Sequence, residues 1–157
     1  MKSSKPPVTR ISGLKSHSGF WLRFVSNHVS QSFARKLEGS GVTVAEWVIL
    51  REMFDTEVIS PGLLAGMTGL TRGAVSKLVE RLREKKLLTR TEAAGDRRFQ
   101  EVRLTVSGRA LVPKLAKLAD KNDEEFFACL SHEERERLLA ILKKLVSVNK
   151  LNKVPIK

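Results

Sequence analysis

The sequence contains a single cysteine, Cys129, among its 157 residues. An intramolecular disulfide is therefore excluded, and a reducing compartment such as the cytoplasm is the simplest expectation. The sequence also lacks a run of about 18 uncharged apolar residues, which excludes a transmembrane helix. Its first residues, MKSSKPPVTR, carry basic side chains without an apolar stretch behind them, so no secretory signal is expected.

Motifs of catalysis and metal binding are also missing from the sequence. It has no glycine-rich phosphate loop, no nucleophile elbow and no paired carboxylates, so we predict no enzymatic activity and no cofactor. His17 and His28 lie eleven positions apart without a nearby acidic residue or cysteine to complete a ligand set. His132 belongs to a predicted helix cap. No metal site is therefore predicted.

Basic residues are abundant, with 29 Lys and Arg against 17 Asp and Glu, a formal net charge of +12. Eleven basic and five acidic residues lie between Arg72 and Arg109, a net +6 in that segment. Such a charge favours a polyanion, either nucleic acid or an anionic membrane surface, although a solubilising surface without a specific partner is the alternative. The chain has 157 residues, of which 41% are hydrophobic, and this length and composition are sufficient to bury a core as one domain.

The segment 60–88 predicts two helices joined by a tight turn. Ser60 and Thr71 are suitable N-caps, Pro61 suits a first helical position, and Gly69 supplies a residue that tolerates positive φ. In the second helix one apolar stripe follows the spacing i, i+3, i+4, i+7: Val75, Leu78, Val79 and Leu82. This is the spacing of a DNA-binding helix-turn-helix, and an ordinary helical hairpin in a core is the alternative.

After Leu82 the apolar period changes from 3.6 to 2. Residues 88–91 and 99–104 predict two strands, with Val102 and Leu104 on one face. The intervening segment 92–98 predicts a hairpin loop with Gly95-Asp96 as its turn. A two-stranded ribbon behind a helix-turn-helix is a wing, and the guanidinium groups of Arg97 and Arg98 at its tip suit a narrow minor groove.

Further helices are predicted on both sides of this winged unit of residues 43–105. Residues 1–16 have no acidic residue and contain Pro6-Pro7, which predicts a flexible, solvated arm that is extended or disordered. Residues 17–38 predict a helix with an aromatic stripe, and Thr43–Glu46 is a capping box for the next helix. Residues 106–150 predict helix, bent or interrupted at Pro113 and restarted by a second capping box, Ser131–Glu134.

The predicted fold is therefore mainly α with a small two-stranded β wing. A winged helix-turn-helix is joined to helices 17–38 and 106–150, which are too apolar to remain uncovered. We expect these helices to form a homodimer that places two reading helices about one duplex turn apart, on the order of 34 Å. The alternative is a monomer in which the terminal helices cover the winged unit.

This order of elements resembles the MarR family of bacterial winged-helix transcription regulators over roughly residues 20–145. The most specific likeness is the segment from Gly95 to Thr105, GDRRFQEVRLT, followed by Gly108, which is similar to the wing signature of that family. Leu64-Ala65 and residues 70–82 are similar to its helix-turn-helix. The resemblance implies a cytoplasmic, homodimeric, sequence-specific DNA-binding regulator, in the usual case a repressor that binds an inverted-repeat operator.

Residue by residue, the resemblance implies a set of DNA contacts. Asp96 pairs with Arg98, which reaches the minor groove, and Arg97 lies beside it. In the second helix of the motif the implied DNA-contact positions are Thr71, Arg72, Gly73, Ser76 and Lys77. We add Arg81, which flanks the same side of the helix. The chemistry agrees, because Arg binds guanine bidentately and hydroxyl and Lys groups suit phosphates. Gly73 departs from the family pattern and removes one base reader.

Two further hypotheses concern small molecules. MarR-like proteins commonly hold a ligand, often an aromatic acid or phenol, between the dimer helices and the winged unit. The candidates to line such a pocket here are Trp21, Phe24, His28, Trp47 and Arg51. Plain core packing is the alternative interpretation of these residues. Cys129 lies between Phe127 and Leu130, which predicts a buried, inert thiol instead of a redox sensor. The alternative to an operator-binding regulator is a non-specific architectural DNA-binding protein without ligand control.

Overall fold

The computed structural model describes residues 10–93 and 96–151, and the side chains of these residues except 93 and 96–99. Six α-helices and one two-stranded antiparallel sheet make up the described part of the chain, which confirms the predicted fold class. The helices are α1 Ser18–Lys36, α2 Val44–Phe54, α3 Pro61–Thr68, α4 Arg72–Glu84, α5 Val106–Phe126 and α6 His132–Val148. The strands are β1 Leu88–Ala93 and β2 Asp96–Leu104.

Both predicted capping boxes are present. The Thr43 hydroxyl accepts from the Glu46 amide at the start of α2, and the Glu46 carboxylate accepts from the Thr43 amide. Ser131 and Glu134 make the same reciprocal pair at the start of α6. Because each box satisfies amides that the helix itself leaves free, the two helix starts are confirmed at the expected residues.

The core lies within the winged unit. Ile49 and Leu50 of α2 are fully buried, as are Leu64 of α3 and Val102 of β2. The first half of α5 closes this core with Val112 and Leu115. The apolar faces of five helices, including Phe33 of α1, therefore meet the sheet in one cluster, and the inner side of α4 packs into it.

The sheet is longer than predicted. Leu88 pairs with Leu104, and the strands extend into the predicted loop as far as Ala93 and Asp96, with an irregular register at Glu92 and Ala93. The segment between α2 and α3 also contributes, because Ile59 and Val102 exchange backbone hydrogen bonds of 3.1 and 2.9 Å. This bridge ties the segment before α3 to the base of the wing.

The flanking helices are less enclosed than the winged unit. The C-terminal half of α1 packs on α5, where Asn122 donates to the Val29 carbonyl at 3.3 Å and Lys36 pairs with Glu125 at 2.5 Å. α6 has no extensive packing against another described helix or strand. Large apolar side chains on both helices are exposed: Trp21, Leu22, Phe24, Val25, Leu139, Ile141, Leu142, Leu145, Val146 and Val148.

Three predictions need correction. Of the two outcomes predicted for Pro113, a bend or an interruption, the interruption is wrong, since α5 continues from Val106 to Phe126. The arm is not extended throughout, since Leu14–Ser16 form a 3-10 turn whose Lys15 carbonyl accepts from the Trp21 indole at 2.9 Å. Cys129 is exposed, because it lies in the turn between α5 and α6, where apolar sequence neighbours do not fix the direction of a side chain. None of the described helices is long and apolar enough to cross a membrane.

Candidate nucleic-acid interface

The turn between α3 and α4 has the geometry that its sequence predicts. The Ser60 hydroxyl accepts from the Leu63 amide at 3.2 Å, and Pro61 occupies the first turn of α3. Gly69 adopts a left-handed conformation with φ of 70° at the end of α3. The Thr71 hydroxyl then accepts from the Ala74 amide at 3.2 Å and starts α4. A glycine corner between two capped helices fixes the direction in which α4 leaves α3.

One side of α4 is anchored in the core. The predicted stripe Val75, Leu78, Val79 and Leu82 is buried, with at most 7% of any of these residues exposed. Burial of four aliphatic side chains stabilises the helix against the unit by several kcal/mol, at about 1.5–3 kcal/mol for each residue. The opposite side of α4 is thereby held outward.

The outward side of α4 carries the sequence-predicted contacts. Its six predicted residues are all exposed: Thr71, Arg72, Gly73, Ser76, Lys77 and Arg81. Among the described residues, Arg72, Lys77 and Arg81 make no side-chain hydrogen bond or ion pair. Arg83, nearer the C-terminus of α4, pairs with Glu80 at 2.5 Å. Unpaired cations at the start of a rigidly held helix suit contacts with phosphates and base edges.

An ion pair between the buried Glu46 carboxylate and the partly exposed Lys85 fixes the C-terminal end of α4 to the start of α2. The Lys85 ammonium lies 2.7 Å from Glu46 Oε2 and also donates to the Gly41 carbonyl at 2.8 Å. Burial alone would raise the pKa of Glu46, but the hydrogen bonds from Lys85 and Thr43 outweigh it and lower the pKa. The carboxylate therefore stays charged. The capping box was apparent in the sequence, whereas its partner 39 positions away was not.

A close backbone contact joins the wing to α5. Thr105 donates from its amide to the Leu87 carbonyl at 3.1 Å and from its hydroxyl to the Lys86 carbonyl at 2.8 Å. The same hydroxyl accepts from the Gly108 amide at 3.0 Å. A Cβ atom on Gly108 would lie 2.0 Å from the Leu87 oxygen. Gly108 is therefore required here because the two backbones touch.

The wing carries two further basic residues that the sequence did not single out, Arg90 and Arg103, of which Arg103 lies 3.5 Å from Glu101. Arg90 of β1 donates across the strands to Gln100 of β2. Thr89 and Thr91 lie beside it on the other face of the ribbon. The predicted tip contacts Asp96, Arg97 and Arg98 lie outside the described side chains, so their roles stay predictions.

Arg109 has a different role from the one its charge suggests. Its guanidinium donates to the carbonyls of Phe54 and Thr56 at 3.0 and 3.2 Å, and it lies 5.5 Å from the centre of the Phe54 ring. It thus caps the end of α2 from the first turn of α5. No local pattern in the sequence indicates a contact across 53 to 55 positions.

The five predicted ligand-pocket residues fall into separate surroundings. The Phe24 and His28 rings stack at 4.4 Å, and Trp21 lies 6.2 Å from Phe24 on the same exposed side of α1. Trp47 packs instead against Phe33, and Arg51 pairs with Asp55 at 2.6 Å. None of the five lines the three surface cavities of about 280 to 410 Å³ that lie beside Arg109, between α5 and α6, and at residues 34–44.

No group of three or more His, Cys, Asp or Glu side chains is placed to hold a metal ion within residues 10–93 and 96–151. The candidate contacts that remain on the described surface are cationic, hydroxyl-bearing and exposed apolar side chains.

A capped helix-turn-helix with an outward basic helix and a two-stranded wing defines the class of winged-helix transcription regulators. The sequence pattern of the MarR family matches residues 40–98. A putative transcriptional regulatory protein for the hcr operon of Thauera aromatica is 30% identical over 128 residues, which cover 81% of this chain and 77% of that protein. The chain belongs to the MarR family.

Solved structures agree with this assignment. BpsR of Bordetella bronchiseptica, whose DNA binding is regulated by 6-hydroxynicotinic acid, is 29% identical with a TM-score of 0.77, over 81% of this chain and 96% of that chain. The MepR–DNA complex of Staphylococcus aureus is 28% identical with a TM-score of 0.78, over 84% of this chain and 98% of that chain. The described fold and these relatives identify the protein as a transcriptional regulator.

Proposed function

We propose that this regulator binds an inverted-repeat operator as a homodimer and that its binding represses transcription. In this proposal two α4 helices enter successive major grooves and two wings reach the flanking minor grooves. The contacts with DNA come from Thr71, Arg72, Ser76, Lys77 and Arg81 and from the predicted wing-tip residues Asp96, Arg97 and Arg98. Gly73 leaves room in the groove where other side chains would read a base.

The outward side of α4 is the observation that carries this proposal. Its inward stripe is buried in the core, and its first two turns present Arg72 and Lys77 without an ionic partner in the described part of the chain. The MepR–DNA complex supports the same use of the fold.

The homodimer is supported by the surfaces that one copy leaves uncovered. α1 exposes large apolar side chains in its first half, and α6 exposes them along most of its length. Most helical stability in proteins comes from packing of an apolar side. A second copy supplies such packing by two-fold symmetry.

A small aromatic effector is the second part of the proposal. The stacked Phe24 and His28 rings with Trp21 form an exposed aromatic wall, which a second copy would convert into a recess. Trp47 and Arg51 line that recess only if the effector draws the winged unit toward α1. An effector with different affinity for two arrangements of the dimer would change its affinity for DNA. The regulation of BpsR by 6-hydroxynicotinic acid supports this chemical class.

Selection of purified protein on randomised duplexes, with excess non-specific competitor at physiological salt, tests the proposal. We expect enrichment of an inverted repeat with half-sites about ten base pairs apart. Retention of DNA without enrichment would favour the architectural alternative. A reporter placed behind the selected site distinguishes repression from activation, and a rise in reporter output with the protein present would contradict the repressor assignment.

A further inference from the structure

The side chain of Lys85 brings three elements of the chain together. Lys85 directly follows α4, and its ammonium donates to both carboxylate oxygens of Glu46 in α2, at 2.9 and 2.7 Å. The ammonium also donates to the Gly41 carbonyl at 2.8 Å, in the turn that connects α1 to α2. One cation therefore joins the end of α4 to the segment through which the chain passes from α1 into the winged unit.

The turn between α1 and α2 contains two glycines in left-handed conformations. Gly39 and Gly41 have φ of 82° and 74°, and a Cβ atom on either one would meet open space. Glycine in such a turn allows the backbone a wider range of φ and ψ than other residues do. Because Lys85 binds the Gly41 carbonyl from the end of α4, it restricts a turn whose backbone is otherwise permissive.

The burial of Glu46 distinguishes this ion pair from another pair on the same helix. The Glu46 side chain is 1% exposed and also accepts from the Thr43 amide at 2.9 Å, so its position is fixed. A buried charge that loses its partner is strongly destabilising. The pair of Glu80 with Arg83 is 39% and 54% exposed and lies within α4. Only the first of these two pairs connects α4 to another element.

We propose that Lys85 is a positioning residue for operator recognition, which fixes the orientation of α4 relative to α1 and thereby the separation of the two α4 helices in the homodimer. Lys85 needs no contact with DNA in this role, since Glu46 and Gly41 occupy its ammonium. The inference rests on the homodimeric operator binding of the proposed function. It adds the residue that sets the spacing of the half-sites.

Apolar packing alone provides a weaker restraint on this orientation. The buried stripe of α4 packs into the core of the winged unit, and Phe33 of α1 and Leu37 just after it reach the same core. Hydrophobic contact is non-directional, whereas hydrogen bonds have defined distances and angles. Removal of the Lys85 contacts should therefore leave the core assembled while α4 and α1 become less strictly oriented.

A double variant, Glu46→Gln with Lys85→Met, tests this role. It removes both charges together, so that neither group is left buried without its partner. Glu80→Gln with Arg83→Met is the matched control, because it makes the same two changes in the pair that lies within α4. Binding is measured well below the melting temperature of every variant. If the double variant is unfolded there, Lys85→Arg replaces it, which keeps the charge but changes the geometry of the donors.

Three duplexes distinguish positioning from direct contact: a single half-site, the selected inverted repeat, and that repeat with its half-sites two base pairs further apart. We expect the double variant to bind the single half-site within about twofold of the parent, since α4 keeps its own contacts. Its affinity for the selected repeat should fall at least about tenfold, because the second α4 no longer meets its half-site in a fixed position. The preference of the parent for the selected spacing should fall at least about fivefold. Lys85→Arg should change in the same direction, and the control should match the parent on all three duplexes.

Two results would overturn the positioning role. One is a double variant with the affinity and the spacing preference of the parent. The other is an equal loss of affinity for the half-site and the repeat, which would show a general effect on the winged unit instead of an effect on spacing. A parent that enriches no inverted repeat would instead refute the operator binding of the proposed function, and this inference with it.

Discussion

Gly108 lies where the first turn of α5 touches the Leu87 carbonyl, and a Cβ atom there would lie 2.0 Å from that oxygen. Gly108→Ala should therefore shift backbone at the junction of wing and α5 and lower the free energy of unfolding by about 1–3 kcal/mol. Gly73→Ala is the matched control. No atom lies within 4 Å of its new Cβ, and alanine favours the helix by up to about 1 kcal/mol. Denaturant unfolding of the two variants should give opposite signs, and equal stability would disprove the close contact.

The buried carboxylate of Glu46 makes stability depend on pH. Its pKa is lower in the folded chain than the ordinary value of 4.5, so its contribution is fully present above that value. The contribution is lost as the pH falls below 4.5 toward the lower folded pKa. Glu46→Gln should cost about 1–3 kcal/mol at pH 7, because Lys85 loses its charged partner. The free energy of unfolding of the variant should also depend less on pH between about pH 5 and 3, because one titrating carboxyl group has been removed.

Glu133→Gln is the control for this measurement. Glu133 is 74% exposed in its pair with Arg137, and exposed pairs of this kind contribute only about 0–1 kcal/mol. Its stability profile should follow that of the parent. A Glu46→Gln profile parallel to that of the parent would show that the Lys85 contact does not stabilise the folded chain.

At the scale of single elements, one side of α4 stabilises the fold and the opposite side carries the proposed DNA contacts. Lys77 is exposed and unpaired in the described part of the chain, opposite the buried stripe. If it contacts a phosphate, Lys77→Ala should reduce the slope of log K against log salt by about one while leaving the melting temperature unchanged. Lys114→Ala, an equally exposed position on α5, should leave the slope as it is. An unchanged slope for Lys77→Ala would remove Lys77 from the interface.

Local patterns in the sequence were sufficient to predict these elements. The caps Ser60 and Thr71 act over three residues, and the α4 stripe repeats every three to four, so both can be read from spacing alone. The predicted strand ends were wrong, because a strand ends where pairing with the opposite strand ends, and residue type alone does not determine this point.

Contacts between distant segments could not be predicted in this way. Lys85 with Glu46 and Arg109 with the end of α2 join residues 39 to 55 positions apart. In a sequence, a Lys or Arg that makes such a structural contact cannot be distinguished from a Lys or Arg on a DNA-binding surface. The segment from Arg72 to Arg109 was therefore correctly identified as basic, although two of its cations serve the fold.

At the scale of the whole molecule, the sequence predicted that the terminal helices need cover but not which surfaces provide it. The aromatic content of α1 was visible, whereas the cleft of about 280 Å³ between α5 and α6, lined in part by Phe127, Leu138 and Leu142, exists only once the turn around Cys129 sets the angle of α6.

Dimerisation should in turn govern affinity for DNA. If α6 contributes to the proposed homodimer, a carboxylate at the half-exposed Leu139 would be buried there without a partner, so Leu139→Glu should produce monomers in sedimentation. A monomer reaches one half-site and loses the effective concentration that the second half-site provides, so operator affinity should fall by about 100-fold or more. Val106→Glu, at an 88% exposed position on the first turn of α5, should remain dimeric. Tight operator binding by a monomeric Leu139→Glu would mean that one winged unit suffices for recognition.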